Sequence, residues 1–126
     1  MTKTNQPVNR PDKWEYICEV TRVVDGDTIE VCIRSDMGFR VVNETVQRIR
    51  LARIDAPERY RGTEEGRAAG KAATEWLKDM IEGKTVIIRT DKVKETFNRY
   101  VAEVWFDDEN ISDVLVDAGH AKYENY

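Results

Sequence analysis

The sequence predicts a mainly β protein of the α+β class: about five strands form a small barrel, with one main amphipathic helix and a short C-terminal helix. Short runs rich in β-branched residues, separated by turn residues, fill the first half of the chain. Helical spacing of apolar residues occurs later, in two places. Strands that pair mainly with their sequence neighbours fit a strongly curved barrel of the OB type, with an open α+β sheet as the alternative.

The first predicted element is a β-hairpin over residues 15–35. β-branched residues flank the turn at residues 25–27, and Gly26 permits the tight reversal. The next extended region covers residues 41–54, with a break near Asn43.

A change of composition after Pro57 predicts the main helix, over residues 63–83. Thr63 suits the N-cap of this helix, and Gly83 suits its end. The apolar residues that recur at three- and four-residue spacings are Ala69, Ala72, Ala73, Trp76, Leu77, Met80 and Ile81.

Two further strands and a short helix complete the pattern. We expect strands over residues 84–91 and 99–108, joined by a polar loop over residues 92–98. Asn110 is the expected N-cap of a last helix that ends at Gly119.

The length of 126 residues predicts one domain, over residues 14–126, preceded by a flexible polar lead-in over residues 1–13. Hydrophobic residues make up 40% of the chain, and no apolar run approaches the ~20 residues that cross a bilayer. The lead-in lacks the apolar stretch of a signal peptide, so the sequence as written predicts an intracellular protein. We also expect a monomer with no membrane partner. A chain whose signal had been replaced by Met1 would look the same.

The net charge of −4 has the wrong sign for a nucleic-acid binder, because phosphate contacts normally supply most of the affinity. Any function on nucleic acids must therefore depend on local cations, either clustered arginines or a bound metal ion. The arginines do cluster within twenty residues, at Arg48, Arg50, Arg53, Arg59, Arg61 and Arg67.

Two cysteines and one histidine exclude a disulfide-dense scaffold and a Cys/His zinc cluster. They also argue against a Ser-His-Asp mechanism, because His120 would have to be the base. Cys18 and Cys32 lie on the two strands of the first hairpin and could approach each other. In an intracellular chain we expect both to remain thiols.

Two short acidic stretches carry more charge than their turns need. Asp25 and Asp27 flank the hairpin glycine, where Asp is also an ordinary turn residue. Asp55 and Glu58 follow a strand, and solvated acids at a strand end are the structural alternative. However, Pro57 fixes its own φ and restricts the residue before it, so it holds these two acids in a fixed relation. A metal site or a general base requires such rigid placement.

Together with two arginines, these acids have a coherent chemical use. Asp27 and Asp55 suit a hard cation such as Ca²⁺ or Mg²⁺. Glu58 suits proton abstraction from water. Arg50 and Arg99 suit a phosphate, because a guanidinium offers paired N–H groups and stays charged. Alone, an arginine at a strand start such as Arg99 usually reaches solvent. As a set, the five residues indicate phosphodiester hydrolysis.

The spacing of these motifs resembles the staphylococcal (thermo)nuclease family. The motifs are D-G-D-T at residues 25–28, R-x-x-x-x-D-x-P-E at residues 50–58, and Arg99 after an aromatic-containing turn. The resemblance covers Tyr16–Tyr123, most of the chain. It implies an OB-type barrel with packed helices and Ca²⁺-dependent cleavage of DNA and RNA that leaves 3′-phosphates.

The resemblance also implies a metal site. Asp27 and Asp55 match the calcium ligands of the family, Ala56 the residue that supplies a backbone carbonyl, and Asp25 an acid behind the ligands. Ala56 stands where threonine is common in the family, a mild change if only the carbonyl is used. Free calcium is scarce inside cells, so Mg²⁺ or another divalent ion is the alternative.

The remaining site residues follow from the same resemblance. Glu58 matches the proposed general base, and Arg50 and Arg99 match the phosphate-binding pair. Tyr123 and Tyr126 could stack on a base, although they do not align cleanly with the nucleotide-packing tyrosines of the family. The alternative function is a non-catalytic OB-type module that binds single-stranded nucleic acid or protein. Degenerate relatives of that kind typically lack the acids or the arginines, which this chain has.

One geometric condition follows. Arg50 and Asp55 are five residues apart, so a straight strand would place them on opposite faces. The predicted site therefore requires a bulge or a bend between Leu51 and Asp55.

Overall fold

The computed structural model of the protein describes residues 13–33, 46–59, 62–96 and 99–124, without the side chains of residues 13, 14, 91–96 and 99. No helix in these ranges is long and apolar enough to cross a membrane. In chain order the elements are β1 (Lys13–Asp25), β2 (Thr28–Ile33), β3 (Gln47–Leu51), β4 (Ile54–Asp55), α1 (Glu64–Ile81), β5 (Thr85–Thr96), β6 (Arg99–Phe106), β7 (Glu109–Asn110), α2 (Ile111–Asp117) and β8 (Lys122–Tyr123).

Five of the strands form a closed mixed barrel, which confirms the predicted fold class. The order is β3-β2-β1-β5-β6, and a parallel pairing of β3 with β6 closes the ring. β6 also pairs with β7, and β4 with β8. The closed barrel excludes the open sheet.

The barrel strands surround a core of aliphatic side chains, and both helices add to it. α1 contributes Leu77 and Ile81, and α2 contributes Ile111 and Leu115. Burying each such side chain stabilises the fold by roughly 1.5–3 kcal/mol. The barrel residues of this core include Cys18, Val20, Ile29, Val31, Ile49, Leu51, Val86, Ile88 and Val104.

Local signals set the ends of both helices as predicted. The Thr63 side chain accepts a hydrogen bond from Gly66 N (3.0 Å), and α1 stops before Gly83, which has a φ of 81°. The Asn110 side chain accepts one from Ser112 N (3.0 Å), and Gly119 follows α2 with a φ of 82°.

One boundary prediction is wrong. The polar residues 92–96 do not form a loop, because β5 continues to Thr96. Glu95 and Thr96 pair with Tyr100 and Arg99 of β6, after a register shift that follows Thr90. Backbone pairing with the neighbouring strand extends β5 whatever its side chains are. Residues 97 and 98, and the break predicted near Asn43, lie outside the described residues.

The first hairpin is present, and both of its cysteines are free. Cys18 is fully buried, and burial first and Cys32 second raise the pKa of its thiol to about 12. Cys18 is therefore a protonated core side chain at neutral pH.

Candidate active site

The bend that the sequence required lies between β3 and β4. Ala52 and Arg53 form a turn there, and Arg53 has a φ of 69°, in the left-handed region. Leu51 N donates to Asp27 O (2.8 Å), so the strand is tied to the hairpin just before it bends. After the turn, Arg50 Nη2 donates to Ile54 O (3.2 Å). The chain thus bends between β3 and β4, and the side chains of Arg50 and Asp55 contact each other.

Arg50 contacts two of the predicted metal-binding acids at once. Its Nη1 lies 3.0 Å from Asp27 Oδ2, and its Nη2 lies 3.3 Å from Asp55 Oδ1. The side chains of Arg50 and Asp27 are 10% and 8% exposed, whereas that of Asp55 is 46% exposed. The two carboxylates therefore converge on one guanidinium, with Asp55 open to solvent.

The buried carboxylate of Asp27 is held by further hydrogen bonds. Its Oδ1 accepts from Thr28 Oγ1 (3.0 Å), and its Oδ2 accepts from Ala56 N (3.1 Å). A buried charge needs such partners, because burial without them is costly. The Ala56 contact joins the hairpin to the segment that follows β4, so the two acidic stretches form one unit.

Helix α1 packs closely against both stretches through small residues. A Cβ on Gly26 would lie 2.8 Å from Ala73 Cβ and 3.0 Å from Ala56 Cβ. A Cβ on Gly70 would lie 2.5 Å from the carbonyl carbon of Glu58 and 2.6 Å from its oxygen. The helix backbone therefore touches the Glu58 peptide and sets its position.

Asp25 lies behind this unit, in a different electrostatic setting. Burial raises the pKa of Asp25, and the negative charges of Asp27 and Glu58 raise it further, while Arg59 and Arg48 oppose the shift. Its Oδ1 is buried and accepts no hydrogen bond within the described part of the chain, although Arg59 Nε lies 3.9 Å away. The raised pKa makes Asp25 easier to protonate than an ordinary aspartate.

Of the remaining predicted site residues, the structure describes Glu58 but not the side chain of Arg99 or any of Tyr126. Glu58 is exposed, and it is close enough to Asp25 for the two charges to interact. The backbone of Arg99 begins β6, but its side chain is outside the described residues, as is Tyr126. Their predicted roles stay predictions.

Tyr123 belongs to a cluster around Arg53 that the sequence did not reveal. Arg53 donates from Nε to Glu103 Oε2 (2.8 Å), from Nη2 to Glu103 Oε1 (3.1 Å) and from Nη1 to Asp113 Oδ1 (3.1 Å). Tyr123 donates its hydroxyl to the same Asp113 oxygen (2.8 Å), and its ring centre lies 5.8 Å from Arg53 Cζ. Tyr123 stays 53% exposed, so its predicted stacking on a base is still a prediction.

The contacts in this cluster shift the pKa values of its members. Hydrogen bonds to Glu103 raise the pKa of Arg53. Burial alone would raise the pKa of Glu103, but hydrogen bonds from Arg53 and Asn110 outweigh it and lower that pKa. Hydrogen bonds from Arg53 and Tyr123 lower the pKa of Asp113, and the bond to Asp113 raises that of Tyr123.

A groove of about 340 Å³ opens beside Asp55. Asp55 pairs with Lys122 across the β4–β8 ladder, and the His120 ring packs 5.2 Å from Trp76. No sequence signal linked His120 or Lys122 to Asp55, because more than sixty positions separate them from it. The groove is lined by Asp55, Pro57, Gly119, His120, Ala121 and Lys122.

The donor set suits a hard divalent cation. Asp27 and Asp55 present carboxylate oxygens to one place, as Ca²⁺ and Mg²⁺ prefer. Within residues 13–33, 46–59, 62–96 and 99–124 no cluster holds three or more His, Cys, Asp or Glu side chains. If a cation were held by these two carboxylates, water or substrate phosphate would fill its remaining positions, as is common for Mg²⁺.

Comparison with known proteins gives consistent similarities. Residues 48–126 match the family described as Staphylococcal nuclease homologue. The chain is 33% identical over 120 residues to an uncharacterized endonuclease of Escherichia coli O157:H7, covering 90% of this chain and 68% of the relative. It is 30% identical to the thermonuclease of Staphylococcus intermedius (85% and 59%) and 36% identical to a micrococcal nuclease of Shigella flexneri (78% and 47%).

Proposed function

The chain belongs to the family of staphylococcal nuclease homologues, and on that premise we propose that it hydrolyses phosphodiester bonds of DNA and RNA with the help of Ca²⁺. The observation that carries this proposal is the simultaneous contact of Arg50 with Asp27 and Asp55. This contact brings together the group that we propose binds phosphate and the two groups that we propose bind the cation.

Asp27, Asp55 and the backbone carbonyl of Ala56 are the residues that would hold the cation. A bound divalent cation lowers the pKa of nearby water and offsets phosphate charge. The hydrogen bonds from Thr28 and Ala56 fix the Asp27 carboxylate in advance, so little reorganisation is needed when the cation binds.

Glu58 is the proposed general base. It lies outside the strand, three residues after Asp55, and its backbone rests on Gly70 of α1. From there its carboxylate would orient the attacking water and accept its proton. Arg50 and Arg99 would bind the phosphate oxygens, whose charge grows in the transition state. For this, Arg50 would exchange its longer and more exposed contact, with Asp55, for phosphate.

Digestion of plasmid DNA and of RNA, in Ca²⁺ and in EDTA, tests the proposal. We expect cleavage of both substrates in Ca²⁺, and none in EDTA. The proposed 3′-phosphate ends should block polymerase extension until a phosphatase removes them. A parallel preparation of Glu58→Gln excludes a contaminating nuclease. Binding of single-stranded nucleic acid without any cleavage in Ca²⁺ or Mg²⁺ would instead establish the non-catalytic module.

A further inference from the structure

Arg53 combines an unfavourable backbone conformation with an unusually well-bonded side chain. A φ of 69° lies in the left-handed region, which is unfavourable for a residue other than glycine. The same residue makes a two-pronged contact with Glu103 and a third contact with Asp113. Pairs this exposed usually contribute little to stability, but a planar two-pronged pair within a network is the geometry that does contribute.

The backbone around Arg53 is tied to three separate elements. Ala52 N donates to Ala102 O of β6 (2.9 Å), and Ala52 O accepts from Ser112 Oγ of α2 (2.7 Å). Arg53 O accepts from Glu124 N, which follows β8 (2.7 Å). The side chain of Arg53 reaches the same three neighbours, at Glu103 of β6, Asp113 of α2 and Tyr123 of β8.

This turn determines where Asp55 lies. Ala52, Arg53 and Ile54 are the residues between Leu51 and Asp55, and the bend at Arg53 allows the side chains of Arg50 and Asp55 to meet. A change in the direction of β4 would move the Asp55 carboxylate and the amide of Ala56, which donates to Asp27.

We propose that Arg53 is a positioning residue of the site: its contacts with Glu103, Asp113 and Tyr123 lock the β3–β4 turn and so hold Asp55 and Ala56 against Arg50 and Asp27. Arg53 acts through these residues and does not contact substrate. The consequence for catalysis rests on the proposed nuclease function, whereas the consequence for the position of Ala56 does not.

The test compares Arg53→Gly with the wild type and with Arg48→Gln. Glycine adopts a φ of 69° without strain, so Arg53→Gly removes the side-chain contacts and leaves the turn allowed. Arg48→Gln removes an arginine of β3, the strand before the turn, whose side chain pairs with Glu30 at 2.8 Å. Arg53→Lys is the conservative variant, and it keeps the charge without the two-pronged geometry.

The first readout needs neither metal nor substrate. The Ala56 amide donates to Asp27, so its hydrogen exchange, followed by NMR, reports directly on the position of the segment. We expect exchange at least roughly ten times faster in Arg53→Gly, intermediate in Arg53→Lys and unchanged in Arg48→Gln. The second readout is Ca²⁺ affinity by calorimetry, well below the melting temperature. Supporting residues of metal sites typically change affinity by about 10–100-fold, and we expect a loss in that range.

Wild-type exchange at Ala56 in Arg53→Gly would overturn the proposal, even if the melting temperature fell, because Arg53 would then only add stability. Faster exchange at Ala56 in a protein whose wild type cleaves no nucleic acid would support the proposed positioning and refute the nuclease function. The two failures are therefore distinguishable.

Discussion

Glu58 is the side chain whose replacement should separate chemistry from folding. Glu58→Gln keeps the size of the side chain and removes its basicity, and general bases contribute about 10²–10⁴-fold. We expect kcat to fall within that range, with the melting temperature and Ca²⁺ affinity close to wild type, because the side chain is exposed. Glu75→Gln, on the exposed face of α1, is the matched control. Near-full activity of Glu58→Gln at saturating Ca²⁺ would assign water activation to another group.

We expect Lys122 to contact a substrate phosphate that lies away from the cleaved bond. It lines the groove beside Asp55, and in the described part of the chain no carboxylate lies within ion-pair distance of it. Lys122→Gln should raise KM several-fold for long single-stranded DNA and leave a dinucleotide substrate unaffected. The slope of log KM against log salt should fall by about 0.7, the value for one phosphate contact on a single strand.

Lys84→Gln is the control for this prediction, since Lys84 is an exposed lysine beyond the C-terminal end of α1. An equal effect of the two changes would mean that only the net charge matters, and that the groove does not guide the substrate.

At the scale of elements, the contact between α1 and the Glu58 peptide makes Gly70 a position where a methyl group cannot fit. Ala normally stabilises a helix by roughly 0.5–1 kcal/mol relative to Gly. A Cβ on Gly70 would meet backbone atoms of Glu58 and Arg59 at 2.5–2.7 Å, so one of the two segments must shift. We expect Gly70→Ala to lower both the melting temperature and kcat.

Gly66→Ala in the same helix is the comparison. Among the described residues its Cβ would meet only the Thr63 hydroxyl, at 3.2 Å, so we expect a small change in stability and wild-type kcat. If Gly70→Ala raised the melting temperature, as helix propensity alone predicts, the helix would not constrain the Glu58 segment.

The elements also show what the sequence could predict. The hairpin, both helices and both N-caps follow from short-range signals, in which neighbouring residues determine the backbone. The length of β5 was not predictable in this way, because pairing with β6 and not side-chain polarity extends it to Thr96. The motif required a bend before Asp55, which the sequence therefore predicted. The side-chain contacts that hold this bend could not be predicted, because Glu103 and Asp113 lie fifty and sixty residues after Arg53.

For the whole molecule, the cluster around Arg53 predicts a dependence of stability on pH. The folded-state pKa values of Glu103 and Asp113 lie below their ordinary values of 4.5 and 3.8. Such groups stabilise the protein above those ordinary values, and this contribution is lost as the pH falls through the lowered folded pKa values. We therefore expect the melting temperature of the wild type to fall more steeply below about pH 5 than that of Glu103→Gln.

The contribution of Asp25 to the pH dependence of stability has the opposite sign, because its raised pKa makes the folded protein bind a proton more readily. Its effect is common to wild type and variant, so the difference between their melting curves reports on Glu103 and on the Arg53 contacts that depend on it. Parallel curves from pH 3 to 7 would show that the ion pairs of Glu103 contribute nothing measurable to the free energy of unfolding.

The proposed cation site makes the stability of the whole molecule depend on Ca²⁺. A ligand that binds only the folded state stabilises it by about 2.7 kcal/mol at a hundred times its Kd, so the melting temperature should rise by several degrees. A nucleoside 3′,5′-bisphosphate should increase this rise, because its phosphate oxygens can complete the coordination of the cation.

Asp27→Asn should remove most of the shift, whereas Asp79→Asn, on the exposed surface of α1, should keep it. Differential scanning calorimetry measures all of these shifts. A melting temperature that stays constant in millimolar Ca²⁺ with the bisphosphate would mean that Asp27 and Asp55 serve only to bind Arg50, and the proposed hydrolysis would then have to proceed without a cation at this place.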